Sequence, residues 1–305
     1  MQTLARWLMQ HRRLVVIAWV VAVVGVFAVA SSVGDRAANN LTLPGTGTQQ
    51  AVDLLRQGMS AQDALKKILA DDTFPGKDGR QVAIVDAKGN VAAYTGPKAP
   101  NWAGDRQGKT WSAQGNILVG AAVPEAMGKA FEATQGELAE KLYAALKAGD
   151  AAGGDSRGRQ SASMLVVRKG GGRNINNDRY IYINVDDNPD PFTELRRLLN
   201  LNLAYIYGDQ TFKAIDTGAM DKARTAAQKA VAYSPNSFGS HMRLAFLNYL
   251  VGDKAASLDE FSKTRALDPS HFDQQWKQEA QFDRFKPVAA DKEFVGKLFP
   301  EGAPK

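Results

Sequence analysis

The sequence contains no cysteine, which excludes disulfide bonds, thiolate zinc sites and cysteine nucleophiles. Histidine is scarce too, and the three that occur, His11, His241 and His271, lie outside the middle of the chain. A Ser-His-Asp triad there would have to borrow a histidine from the C-terminal part. No His, Asp and Glu residues have the spacing of metal ligands, so neither a metal nor another cofactor is expected.

The sequence also has no cluster of charge of one sign. The net charge is +6, and Lys and Arg are scattered along the chain. Because there is no basic stripe interleaved with aromatic residues, no nucleic-acid partner is expected.

One long uncharged run is present, from residue 14 to residue 30, with the sequence LVVIAWVVAVVGVFAVA. As a helix it would be roughly 25 Å long, slightly less than a ~30 Å hydrocarbon core. The arginines before it favour an N-terminus in the cytoplasm. Ala28-Val29-Ala30 also fits a signal-peptidase site, so export after cleavage near Ala30 is the alternative. We therefore predict that residues 1–35 are a bacterial inner-membrane anchor or a signal peptide, with the C-terminal part outside the cytoplasm.

The first 56 residues carry a resemblance. MQTLARWLMQHRRLVVIAWVVAVVGVFAVASSVGDRAANNLTLPGTGTQQAVDLLR resembles the start of a bacterial RND-type transporter of the MMPL group. In that group a first transmembrane helix leads into an extended LPGT-like segment, so residues 36–53 are predicted to be an extended linker. No second long apolar run follows, which excludes transport, and the change near residue 56 resembles a gene fusion.

Residues 54–203 are predicted to form an α+β domain, because strands, two helices and further strands follow one another. Ser60 is expected to cap the first helix, with Asp63 as the reciprocal acid. The expected helices cover residues 61–70, 125–134 and 137–148. The expected strands cover residues 82–85, 91–94, 114–119, 164–167 and 180–185, and the first two form a hairpin around a Gly/Asn turn.

Four segments of this domain carry a second resemblance: QVAIVDAKGNVAAYTG, NWAGDRQGKTWSAQGNILVG, AAGGDSRGRQSASMLVV and NDRYIYINVDDNPDPFTELRRLL. In this order they resemble a bacterial family of unknown function placed in the N-terminal-nucleophile (Ntn) hydrolase superfamily. The resemblance implies an αββα sandwich, here truncated, because the transporter-like segment stands where the family's first strands should be. An Ntn enzyme uses an N-terminal Thr, Ser or Cys as its nucleophile. Without that strand the catalytic residue is unknown, and an inactive domain is predicted.

Polar residues at two strand entrances are candidates for ligand binding. A glycine-rich loop leads into the strand at 164–167, and Gln114 and Asn116 flank a glycine at another strand start. Polar groups in such places either line a cleft or form a solvated turn. The candidates are Gln114, Asn116, Asp155, Arg159, Gln160, Ser161 and Asp186.

The acids near residue 190 resemble the start of a calcium loop, but Pro191 occupies the position that needs glycine. Asp190 is instead predicted to cap a helix that has Pro191 in its first turn.

Residues 204–305 show a period of 34 residues, which separates Gly218 from Gly252 and Pro235 from Pro269. The period resembles that of tetratricopeptide (TPR) repeats, in which glycine lies at the turn between paired helices. The resemblance implies a protein or peptide partner, and the alternative is a helical hairpin that packs within the chain. Residues 282–299 are expected to add a capping helix.

Two functional hypotheses follow. The first is a cell-envelope binding or scaffold protein, with an inactive Ntn-hydrolase-like domain and a TPR-like interaction tail. The alternative is an amide-bond hydrolase of the Ntn superfamily with an unidentified nucleophile and substrate.

Overall fold

The structure, a computed structural model, describes residues 48–172 and 177–302. The chain divides into a first unit that ends at Arg196 and a second unit that begins at Arg197. The helices in the described ranges are α1 (Thr48–Arg56), α2 (Ala61–Asp71), α3 (Ala122–Ala133), α4 (Leu138–Ala151), α5 (Pro191–Asp216), α6 (Met220–Tyr233), α7 (Phe238–Leu250), α8 (Lys254–Leu267), α9 (Pro269–Glu279), α10 (Lys286–Ala290) and α11 (Lys292–Leu298). The strands are β1 (Gln81–Val85), β2 (Val91–Thr95), β3 (Trp102–Gln107), β4 (Ser112–Leu118), β5 (Ala162–Val167) and β6 (Arg179–Val185).

The strands of the first unit pair as three antiparallel hairpins, β1–β2, β3–β4 and β5–β6. The β1–β2 hairpin confirms the prediction from the Gly/Asn turn, and Gly89 adopts a positive φ of 84° there. Strand β3 was not predicted, because its sequence WAGDRQ has neither alternation nor β-branched residues.

The predicted fold class is wrong. In residues 48–172 and 177–302 the strands form three two-stranded sheets beside many helices, so the chain is a mixture of helices and hairpins. An αββα sandwich needs two larger stacked sheets. Each observed strand instead pairs with its neighbour in sequence, and a local turn is sufficient to specify such a hairpin.

The predicted membrane helix is likewise not supported. No helix among the described residues is both long and apolar enough to cross a membrane. Helix α5 has the length, at 26 residues, but it carries Glu194, Arg196 and Asp209 along its course. The run at 14–30 lies outside the described residues. The predictions that depended on it, an inner-membrane location, export after cleavage and the membrane as a partner, are therefore wrong as far as the structure describes the chain.

Helix α2 packs its apolar face on the β1–β2 hairpin. Ala64, Leu65 and Ile68 are buried against a group that includes Ile84 and Ala92. The helix begins as predicted, because the Ser60 side chain accepts a hydrogen bond from the Asp63 N–H. The cap fixes the start of the helix and so fixes which face meets the hairpin.

A buried carboxylate, that of Asp86, joins the turn of this hairpin to helix α2. It accepts hydrogen bonds from the backbone N–H groups of Ala61 (3.2 Å), Lys88 (2.9 Å) and Asn90 (2.9 Å) and from the Asn90 side-chain amide (2.8 Å). Burial raises the pKa of Asp86, but the bonds from Asn90, Ala61 and Lys88 outweigh burial and hold the pKa below its usual value. The ionised carboxylate is therefore the form that stabilises this corner.

The second unit is helical. Gly218 and Gly252 adopt positive φ angles of 71° and 87° at the turns that precede α6 and α8, as the 34-residue period predicts for turn positions. Helix α7 packs against both α6 and α8. An aromatic core lies among α7, α8 and α9, with Phe246, Phe261 and Phe272 almost fully buried.

Residues 283–299, here called the C-terminal segment, complete this core. The segment consists of a short 3-10 turn followed by α10 and α11, rather than the single capping helix expected. Phe285 has no exposed surface, and its ring centroid lies 3.9 Å from that of Phe246. Asp291 accepts hydrogen bonds from the Tyr249 hydroxyl (2.7 Å) and Lys254 Nζ (2.6 Å). The segment therefore covers an aromatic face that would otherwise meet water.

A candidate ligand-binding cavity

The first unit contains a cavity of about 190 Å³. Its walls come from strand β4, helices α3 and α4, the first turn of α5, and residues 152–161, here called the glycine-rich loop. Binding pockets for drug-sized molecules span about 300–1,000 Å³, so this cavity suits a smaller molecule.

Six of the seven candidate residues line this one cavity: Gln114, Asn116, Asp155, Arg159, Gln160 and Ser161. The seventh, Asp186, is exposed just beyond the end of β6 and is not part of the lining. The neighbouring prediction for Asp190 is confirmed, because it accepts hydrogen bonds from the Thr193 N–H (3.3 Å) and hydroxyl (2.6 Å) at the start of α5.

The glycine-rich loop is fastened to the end of β4 by backbone hydrogen bonds. Val119 donates to the Gly154 carbonyl (3.1 Å), and Ser156 donates to the Ile117 carbonyl (2.9 Å). Gly153 has a φ of 114°, and a Cβ added there would lie 2.3 Å from Cγ2 of Val119. The close approach therefore needs glycine at this position, and it brings the loop's polar residues beside Gln114 and Asn116.

Strand β4 is strained where it borders the cavity. Ile117, between two lining residues, has a φ of 56°. A β-branched residue rarely adopts this conformation, which costs of order 1–3 kcal/mol and tends to occur at ligand-binding and catalytic sites. The conformation coincides with the attachment of the glycine-rich loop, because the Ile117 carbonyl accepts the bond from Ser156.

Both carboxylates of the lining are paired with arginines. Asp150, whose side chain is 8% exposed, accepts a hydrogen bond from Nε of Arg159 at 2.5 Å. This bond raises the pKa of Arg159 above its usual value. Asp155 accepts two bonds of 3.0 Å from Arg157, one to each carboxylate oxygen. Neither carboxylate is therefore available as an unpaired general base.

The two amides of β4 have different surroundings. Asn116 Nδ2 donates to Oε1 of Gln81 (3.1 Å), and Gln81 Nε2 donates to the Gly115 carbonyl (2.9 Å). Gln81 therefore holds Asn116 in place, a role that could not be predicted from the sequence, because the two residues lie on different hairpins. Gln114 is different, since its Oε1 is buried and has no hydrogen-bond partner among the described residues.

Part of the cavity lining is apolar. It consists of Val123 and Met127 of α3, Leu146 of α4 and Phe192 of α5, all buried. Sequence reasoning did not identify them as site residues, because a cavity wall and a packed helix face have the same apolar spacing.

His241, one of the two histidines of the second unit, does not offer a free base. In His241, Nδ1 lies 2.5 Å from Oε2 of Glu260 and Nε2 lies 2.7 Å from the Pro235 carbonyl. Both ring nitrogens are therefore engaged in structural contacts. In the part of the chain that the structure describes, no three His, Asp or Glu side chains are grouped as metal ligands.

Comparisons with known proteins identify one family. A family model described as a family of unknown function, DUF1028, matches residues 14–195, a range that includes the apolar run at 14–30. The crystal structure of protein SPO2555 from Silicibacter pomeroyi, also assigned to DUF1028, is 29% identical over 50% of this chain and 65% of that chain, with a TM-score of 0.44. The chain thus spans less than two thirds of that protein's length. No curated protein matches. Neither DUF1028 match names an Ntn hydrolase, a TPR protein or an MMPL transporter.

Proposed function

The chain belongs to the DUF1028 family, whose function is unknown, and we propose that its first unit binds a small polar molecule in the cavity beside the glycine-rich loop. The observation that carries this proposal concerns Gln114, a lining residue whose Oε1 is buried and has no hydrogen-bond partner among the described residues. A buried carbonyl without a hydrogen-bond donor costs about 1–3 kcal/mol. A ligand that donates a hydrogen bond would recover that cost once the Gln114 side chain turns its oxygen toward the cavity.

Binding is favoured over catalysis because the carboxylates in the cavity lining are already hydrogen-bonded. A general base needs an accessible carboxylate or imidazole near the reacting proton. The carboxylates of Asp150 and Asp155 both accept hydrogen bonds from arginines. The domain therefore supports recognition of a molecule more readily than its conversion.

The amide-hydrolase alternative keeps one supporting observation, the Ser161 hydroxyl in the same lining as Asp155. It requires the salt bridge between Asp155 and Arg157 to open so that the carboxylate can act on the serine. The two functions differ in their product: a binding protein leaves an amide substrate intact, and a hydrolase releases a free amine.

The test is ligand-observed NMR on a panel of small amino acids, hydroxy acids, amides and sugars. Gln114→Leu removes the unpartnered acceptor, and Gln135→Leu is the matched control, because Gln135 is exposed between α3 and α4. We expect at least one compound to bind the wild-type protein and the control but not Gln114→Leu. If nothing in the panel binds, or if Gln114→Leu binds equally well, the proposal is wrong. Appearance of free amine from an amide in the panel would support the hydrolase instead.

A further inference from the structure

The lining of the cavity contains both apolar and polar side chains, which restricts the chemistry of any occupant. Met127, Leu146 and Phe192 belong to the lining, and each is less than a tenth exposed. Placing a polar ligand group among them would remove it from water without a hydrogen-bond partner, which is unfavourable. The apolar part of the lining therefore favours a compact apolar group.

Among the polar lining residues, Arg159 offers hydrogen-bond donors. Its Nε is bound to the buried carboxylate of Asp150, which holds the guanidinium in place. Neither terminal nitrogen of Arg159 donates to another residue in the described ranges. Because its side chain is 48% exposed, those terminal N–H groups are accessible. A planar guanidinium with free terminal donors matches a carboxylate.

The polar part of the lining is less suited to a cationic ligand group. The buried Asp150 already accepts a bond from Arg159, and both oxygens of Asp155 already accept bonds from Arg157. A cation would have to displace an arginine that is bonded to its carboxylate, whereas an anion meets donors that are not engaged. The third requirement comes from Gln114, whose buried oxygen calls for an N–H or O–H group.

We infer that the cavity takes a small monocarboxylate that carries a compact apolar group and one N–H or O–H donor. This inference rests on the proposed function and assigns it a ligand class. Arg159 holds the carboxylate, Gln114 accepts from the donor, and the side chains around Met127 enclose the apolar group.

The test uses three probes in calorimetric titrations of the wild-type protein. N-acetyl-L-leucine has all three features, N-acetyl-L-leucinamide replaces the carboxylate by a neutral amide, and N-acetylglycine lacks the apolar group. We expect N-acetyl-L-leucine to bind about tenfold or more tightly than either analogue, since a charge-assisted hydrogen bond and a buried alkyl group are each worth that factor. These comparisons need no variant and hold even if a substitution impairs folding.

Two variants then test whether the carboxylate of the ligand binds to Arg159. Arg159→Gln should abolish the preference for N-acetyl-L-leucine over its amide. Arg106→Gln, which removes the same charge at an exposed position of β3 outside the lining, should retain it. Equal affinity of acid and amide for the wild-type protein, or a preference that survives Arg159→Gln, would overturn the inference. If these probes fail but a compound of the broader panel binds through Gln114, the ligand class is wrong and the proposed function stands. Failure of every compound refutes both.

Discussion

Replacement of Asp86 by alanine would test the contact that joins helix α2 to the β1–β2 turn. Asp86 is 6% exposed, and its carboxylate satisfies the N–H groups of Ala61, Lys88 and Asn90. The Ala61 bond is buried, and leaving that donor without an acceptor costs about 1–3 kcal/mol. The other two backbone donors are part-buried and regain some water, at about 0.5 kcal/mol each. We therefore expect Asp86→Ala to lower the free energy of unfolding of the first unit by about 3 kcal/mol.

The pH dependence of this loss follows from the lowered pKa of Asp86. A carboxyl whose folded-state pKa lies below its unfolded value, near 3.9, stabilises the protein above that unfolded value. Its contribution disappears as the pH falls through the folded-state pKa. The difference between wild type and Asp86→Ala should thus be constant from about pH 7 to pH 5 and become smaller toward pH 3 and below.

The assay is urea denaturation together with hydrogen exchange of the peptides that cover α2 and the β1–β2 hairpin. Asp78→Ala is the control, because the Asp78 carboxylate forms an ion pair with Lys98 (3.1 Å) and is 40% exposed. An exposed pair of this kind is worth about 0–1 kcal/mol. A loss for Asp86→Ala no larger than that of the control would refute the reasoning, as would a difference that does not change on acidification.

Two further changes address packing. Phe285→Ala should lower the free energy of unfolding of the second unit by about 3–5 kcal/mol, measured by urea denaturation, because the ring is fully buried. Gly153→Ala should destabilise the first unit more than Gly158→Ala in the same assay. Both glycines have positive φ, but an added Cβ collides with a neighbour only at Gly153; equal losses would contradict the tight attachment of the loop to β4.

Features set by local chemistry were predictable from the sequence. The caps at Ser60 and Asp190 and the turn at Gly89 each depend on residues within a few positions, and all three are observed. That Gln114 and Asn116 line one cavity with the glycine-rich loop could be predicted in part, because both segments lie at the start of strands. The backbone hydrogen bonds that join the loop to the end of β4 could not be predicted, because no pattern of neighbouring residues encodes them.

Contacts between residues far apart in the chain could not be predicted from the sequence. Gln81 holds Asn116 from a different hairpin, and Phe192 comes to the cavity from the start of α5. No spacing in the chain records either contact. The membrane prediction rested on the apolar run alone, and such a run does not state whether lipid or protein surrounds it.

The position of the C-terminal segment has a consequence for synthesis of the protein. Helix α7 carries Phe246, and the residues that bury it, from Phe285 to Phe299, are synthesised only after a further stretch of chain. At about 5–20 residues per second, the ribosome needs roughly 3–10 s to pass from Phe246 to Phe299. During that interval the nascent second unit exposes an aromatic face. A premature stop codon or a ribosomal stall within this stretch would therefore yield an aggregation-prone fragment rather than a shorter but folded protein.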